Sequence, residues 1–342
     1  MNELAKSGRN NNFNLLRLVF ASLVIVAHCP EIRDGNRSRE PLTMLFGTVS
    51  FGEFAVDSFF LLSGFLIVKS WVRNPSAAVY LGHRIRRIFP GFLAASLVCA
   101  FVVGPLGGRP DYFATFDFAE FLRHVFLLKR PYTPPVFQGS FYPEVNDSMW
   151  TIFWEFACYV VVLAAGLLGA FRRKIVWLVV AAGLMAVVLV GSGGRIHLVD
   201  TLNARLFLMF FAGGTFYLYG SRLPSGARWL ALSALLLCAG MFSHRLAEPA
   251  IAVFWGFLVL SFAQRSTPAL AGFNRWPDIS YGVYLYAWPI TKLLVLYVPA
   301  IGDVSLTIAV LALSLLAGTL SWYGVERLFM APRRTRVTPL AV

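Results

Sequence analysis

Apolar residues along this chain fall into long blocks separated by short polar or basic stretches. Ten such blocks cover approximately residues 12–30, 52–69, 88–106, 148–169, 175–192, 204–220, 228–243, 248–264, 280–298 and 304–326. A helix needs about 20 mostly apolar residues to cross a bilayer, and each block is close to that length. In hydrocarbon the backbone must satisfy its own N–H and C=O groups, which favours helices for runs of this kind. The pattern therefore predicts an all-α integral membrane protein, a bundle of about ten transmembrane helices.

Composition sharpens this picture. The chain has 342 residues, 58% apolar and only 14% charged, whereas soluble domains carry about 25% charged residues. Ten spans would consume about 200 residues, and the rest must supply every loop and both tails. Residues 1–342 are thus expected to form a single membrane domain with no appended soluble domain. The first block, with Lys6, Arg9 and Arg17 ahead of or within it, has the outline of a signal peptide. No small-residue cleavage site follows at Val26-Ala27-His28-Cys29, so it is read as a retained span.

The net charge of +13 invites a nucleic-acid reading, but its distribution favours topology. With ten spans, 18 basic residues fall on the side of the termini, against only Glu3 and Asp278. They include Lys6, Arg9, Lys69, Arg84, Arg86, Arg87, Arg275 and the tail arginines Arg333, Arg334 and Arg336. Excess Lys and Arg marks cytoplasmic loops. Both termini are expected in the cytoplasm, with membrane lipids and no nucleic acid as partners. Cys29, Cys99, Cys158 and Cys238 lie in or beside apolar runs without metal-ligand spacing, and read as small buried hydrophobes.

Charge inside a bilayer costs at least about 2.5 kcal/mol per group, so Arg17, His28, Glu155, Lys292 and Glu326 need reasons. Arg17 and His28 are eleven steps apart, almost three whole helical turns, which puts both on one face and roughly 16 Å apart along the axis. One stripe then carries a cation at the inner mouth and a titratable base further out. A snorkelling Arg and an interfacial His fit the same spacing. Glu155, two turns into the fourth span, is expected near the depth of His28, where it would orient the imidazole; a packing ion pair is the alternative. Glu326, next to Arg327, reads as half of a plain ion pair. In His83-Arg84-Ile85-Arg86-Arg87, a helix would aim Arg84 and Arg87 the same way, as a fork for phosphate oxygens, or as a topology signal and headgroup anchor. The external segment 107–147 is rich in aromatics, including Tyr112, Tyr132, Phe137, Phe141 and Tyr142, which suit an interfacial belt or stacking on sugar rings.

Six segments together resemble the acyltransferase family 3 of multi-pass membrane proteins, which O-acylate cell-surface glycans. Arg17 through His28 is similar to its Arg-x10-His signature, and Asp57-Ser58-Phe59-Phe60-Leu61-Leu62-Ser63-Gly64-Phe65 to its D-x-F-F-x-L-S-G-F block. Arg84-Ile85-Arg86-Arg87 resembles its R-x-x-R element, and Asn146 through Glu155 its N-G-S-L-W-T-L-x-x-E segment, with Asp147 where Gly is usual. Ser280-Tyr281-Gly282-Val283-Tyr284-Leu285 and Val325-Glu326 complete the series. Many members carry a His before the Pro of the ninth span; Ala287 and Trp288 stand there in this chain.

The resemblance implies a bacterial inner-membrane O-acyltransferase. It would take acyl-CoA, usually acetyl-CoA, as a donor substrate rather than a bound cofactor, and a carbohydrate or lipid-linked glycan as acceptor. Arg84 and Arg87, with Arg17, would hold the CoA phosphates, and His28, oriented by Glu155, would take the proton from a sugar hydroxyl. Asn146, Trp150, Tyr281 and Glu326 are expected in support, the first three as oxyanion donors. A covalent acyl-enzyme through Cys29 or Ser63 lacks an activating base at the level of sequence. A rival reading is a transporter or flippase with Arg17, His28 and Glu155 as a charge relay, which leaves the R-x-x-R element without a task. A non-catalytic scaffold would need none of these charges.

Overall fold

The computed structural model describes residues 11–191, 201–265, 267–270, 273 and 276–330. Lys6, Arg9, Arg275 and the tail arginines counted above lie outside the described residues. Helices stand at all ten predicted blocks: α1 Phe13–Asp34, α2 Phe51–Arg73, α3 Ala77–Leu106, α4 Trp150–Leu167, α5 Lys174–Gly191, α6 Thr201–Tyr219, α7 Ala227–Met241, α8 Ala247–Ala263, α9 Ser280–Tyr297 and α10 Asp303–Met330. Among the described residues there is no strand. Six helices (α1, α2, α3, α4, α5 and α10) are long and apolar enough to cross a membrane. The protein is an all-helical membrane protein.

Local chemistry fixes where the helices start and how closely they pack. Ser50 caps α2 by accepting from the Glu53 amide while Glu53 accepts from the Ser50 amide, a reciprocal capping box. Gly64 of α2 and Gly213 of α6 face one another's backbones. A Cβ at Gly64 would fall 1.9 Å from the Phe210 carbonyl oxygen, and one at Gly213 would fall 2.0 Å from that of Leu61. Small residues at such crossings allow the close backbone approach on which helix packing in lipid depends. The helix α3 begins soon after α2 ends, so the basic segment is helical throughout Arg84–Arg87. A π-helical turn at Trp322–Glu326 in α10 rotates Glu326 into the bundle, and such turns recur at functional sites.

Several expectations about individual residues are corrected. Cys29, Cys99 and Cys158 are buried, but Cys238 is exposed on α7. Tyr112 and Phe137 are not a surface belt. They pack with Cys99, Val103, Val136 and Val145 into a small core under the segment 107–147. The polar groups inside the helices also include Glu31, Asp57 and Arg205, all buried; Glu31 and Arg205 were not among the charges singled out from the sequence, and Asp57 stood there only as part of a motif. Glu31 was missed because the first span was ended at residue 30, whereas α1 continues to Asp34.

Candidate active site

The five helices α1, α2, α3, α4 and α9, with the end of α10, surround a cavity of about 550 Å³. At the end where α1 and α9 begin, it is lined by Asn14, Arg17, His83, Arg84, Arg86, Arg87 and Asp278. Its middle holds Ser63, Glu155 and Tyr159, and its far end is formed by Phe59, Thr151 and Tyr284. Beyond Tyr284 lies a much smaller chamber of about 10 Å³, lined by Val24, Ile25, His28, Ser148, Tyr284 and Trp288 among others. That is room for roughly one water molecule. Asn14 and Arg17 on the large cavity, and Val24, Ile25, His28 and Ile32 on the small one, form a single stripe of α1. The shared face expected from the Arg17–His28 spacing is thus present, with the two residues in separate compartments.

At the arginine end, Arg17 Nη1 donates to Asp278 Oδ2 at 2.9 Å and Arg87 Nη2 donates to the same oxygen at 2.7 Å. Arg87 also lies 3.8 Å from Glu326. Asp278 sits in the turn before α9. Burial alone would raise its pKa, but Arg87 and then Arg17 outweigh it and hold the carboxyl down to about 2. Glu326 does not pair with Arg327 as the sequence suggested; it is buried, accepts from Ser321 Oγ at 3.1 Å, and faces Arg87. Arg327 instead stacks over Tyr323. Arg84 differs from its neighbours. Its guanidinium rests 5.6 and 5.7 Å from the Tyr80 and Tyr159 rings, and among the described residues neither Arg84 nor Arg86 has a carboxylate in ion-pair distance. The buried Arg84 Nε has no hydrogen-bond acceptor among the described residues. A cationic mouth with donors in excess of carboxylates is a surface for an anionic ligand.

Glu155 is not beside His28. It lies seven residues beyond Ser148 of the small chamber, about 10 Å along a helix, and lines the large cavity instead. Its Oε1 accepts from Tyr159 Oη at 2.5 Å and from Ser63 Oγ at 3.3 Å. The depth estimate failed because depth alone does not say which neighbours a side chain meets: the fourth helix starts at Trp150, after a non-helical approach, and turns Glu155 toward Ser63 of α2.

The partner of His28 is Glu31, one turn along the same helix. The His28 Nδ1–H donates to Glu31 Oε2 at 2.9 Å. On the other carboxylate oxygen, Glu31 accepts from Arg37 Nε at 2.5 Å and from the Tyr142 hydroxyl. With Nδ1 so engaged, Nε2 is left as the basic nitrogen. It faces Gly52, where even a methyl group would stand only 3.3 Å from it. Trp288 packs edge-on against the imidazole at 5.3 Å between ring centroids, and Tyr142 packs against Trp288 at 5.7 Å. An i,i+3 carboxylate after a histidine was the signal available in the sequence. Lys292 anchors the segment that carries Tyr142: its Nζ donates to Ser140 Oγ at 2.5 Å and to the Tyr142 carbonyl, and lies 4.6 Å from the Phe137 ring centre.

The expected oxyanion donors divide. Asn146 is buried and spent on structure, donating to the Leu285 carbonyl at 2.8 Å and accepting from Ser148 Oγ at 2.7 Å. Trp150 packs against the main core and lines neither cavity. Tyr281 does line the large cavity, but its hydroxyl donates to the Ile88 carbonyl at 3.1 Å.

Comparison with known proteins bears on this arrangement directly. The sequence profile described as an acyltransferase domain (acyltransferase family 3) matches residues 10–324. The chain is 27% identical to an O-acetyl transferase of Shigella phage Sf6 over 97% of this chain and 98% of that protein. It is 30% identical to Nodulation protein 10 of Rhizobium leguminosarum bv. viciae over 82% of each. No solved structure matches the chain. A cavity with a cationic mouth and a carboxylate-held imidazole beyond its far wall, within a sequence matched almost from end to end, leads to one assignment: the chain belongs to the acyltransferase family 3 and is a membrane acyltransferase.

Proposed function

We propose that the protein moves an acetyl group from acetyl-CoA, entering from the cytoplasm, to a sugar hydroxyl of a surface polysaccharide, lipopolysaccharide or related lipid-linked glycan. The name of the phage relative, O-acetyl transferase, supports acetyl as the group. In this reading all ten helices cross a bacterial inner membrane as one domain, with both termini in the cytoplasm. The basic end of the large cavity is then the inner mouth. Arg84, with Arg86 and the Asp278-held pair Arg17 and Arg87, binds the nucleotide phosphates, since guanidinium groups match phosphate oxygens in geometry and charge. The thin pantetheine arm runs along the cavity, where Glu155, Ser63 and Tyr159 offer a polar stretch of wall that suits its amides. This role replaces the earlier assignment of Glu155 to orienting the base.

His28 is the general base. Glu31 fixes the imidazole tautomer through Nδ1, so Nε2 takes the proton of the sugar hydroxyl as its oxygen attacks the thioester carbonyl. The C–S bond breaks, the proton passes from Nε2 to the leaving thiolate, and the CoA thiol leaves toward the inner mouth. Hydroxyl groups ionise far above neutral pH, so proton transfer must accompany bond formation, a contribution of typically 10²–10⁴-fold. The observation that carries this reading is the continuous cavity from Arg84 to the wall of the His28 chamber. The test is mass spectrometry of the surface glycan from cells expressing His28→Ala at wild-type levels. The acetylated species should vanish; its survival at the wild-type level would remove His28 from the chemistry.

A further inference from the structure

Among the described residues, Tyr284 is the side chain that lines both the large cavity and the His28 chamber. Its ring is wedged edge-on against Phe59 of α2 at 6.2 Å. Its hydroxyl donates to the Ser148 carbonyl at 2.5 Å and lies 2.8 Å from Thr151 Oγ1. The ring is thus pinned at both ends, by α2 on one side and by the entry to α4 on the other. As pinned, it stands between the compartment of the donor and the compartment of the base.

We infer that Tyr284 is a specificity-determining partition, which keeps the thioester away from His28 and its water until the acceptor alcohol displaces the ring. The inference rests on the donor and base assignments above. The chemical need is plain. The His28 chamber holds space for about one water, and a general base serves water as readily as an alcohol. If the thioester stood open to that chamber, a water oxygen would attack the carbonyl. The C–S bond would break, the proton would pass through His28 to the leaving thiolate, and free acetate and CoA thiol would result. A sugar is large enough to push the ring aside and complete the transition state, and water is not. The latch also accounts for Thr151 and Ser148, which neither the phosphate mouth nor the His28–Glu31 pair uses.

The experiment measures free-thiol release from acetyl-CoA by purified protein without any acceptor, and compares it with transfer when the acceptor glycan is present. Tyr284→Phe, which keeps the ring and loses the latch, should raise acceptor-independent release about fivefold, the population shift expected on losing one net hydrogen bond. Tyr284→Ala should raise it further, and combining either change with His28→Ala should return release to the wild-type level. Unchanged release in Tyr284→Phe, with acetyl-CoA binding intact, would overturn the partition alone. Extra release that persists without His28 would also overturn it. A wild-type protein that does not bind acetyl-CoA would instead overturn the donor assignment together with everything built on it.

Discussion

Two of the charge clusters among the described residues of this bundle are built to opposite ends. In the first, Arg17 and Arg87 share Asp278, Glu326 stands behind, and Arg84 and Arg86 are left over with no carboxylate among the described residues. In the second, a lone Arg205 from α6 faces three carboxylates: Asp57 at 3.2 Å, and Glu53 and Glu248 each at 3.8 Å. The first lines a cavity of about 550 Å³; Arg205, Asp57 and Glu248 line neither cavity. Charge between the helices of a membrane bundle is therefore not a site in itself. An excess of donors at the wall of an open space is ready for an anionic ligand, whereas an arginine outnumbered by carboxylates in packed protein joins helices α2, α6 and α8.

The contrast is sharpest if Arg205 is removed. Arg205→Met leaves the buried Asp57 without its cation, beside the partly exposed Glu53 and Glu248, and breaking a buried pair this way costs about 3–5 kcal/mol. The apparent melting temperature in detergent should fall steeply, and acetyl transfer should be lost with the fold. A variant that melts like wild type would show the second cluster to be functional rather than structural.

Within the first cluster, Asp278→Asn should be milder. A carboxyl held at about 2 instead of its usual 3.8 contributes about 2 kcal/mol of stability at neutral pH. Because the folded value is the lower one, that contribution is fully present above about pH 4 and is lost as pH falls toward 2. The difference in stability between wild type and Asp278→Asn should accordingly stay constant from pH 7 to pH 5, followed by thermal melts. A gap that closes across that range would contradict the ion-pair account.

At the far end of the cavity, Glu31→Gln keeps the shape around His28 but removes a charge-assisted hydrogen bond, worth roughly 1.5–3 kcal/mol. The turnover number should drop roughly tenfold or more with the acetyl-CoA KM little changed. A rise in KM without a change in turnover would place Glu31 in donor binding instead.

Much of this was legible in the sequence. Each of the ten apolar blocks holds a helix, six of them long and apolar enough to cross a membrane, because apolar runs of this length favour helices. Arg17 with His28, and Arg84 with Arg87, were legible because helical periodicity alone decides which side chains share a face. What failed needed contacts between helices. Glu155 was assigned to His28 from depth, but depth depends on where α4 starts and which neighbours it meets. Asp278 looked like a stray loop charge until α9 brought it between α1 and α3. Glu326 was read beside Arg327, and a π-helical turn pointed it at Arg87 instead. Glu31 was the avoidable miss, one turn from the histidine on the same helix.

The central claim is that Arg84 and its neighbours grip the phosphates of the donor. Its most direct test compares acetyl-CoA with acetyl-pantetheine, which carries the same thioester and arm without the nucleotide phosphates. Wild-type protein should have a much lower KM for acetyl-CoA. In Arg84→Ala that preference should shrink by roughly ten- to a hundredfold, the range expected for one charged hydrogen-bonding group, with the melting temperature unchanged. A preference for acetyl-CoA that survives undiminished in Arg84→Ala would contradict the account.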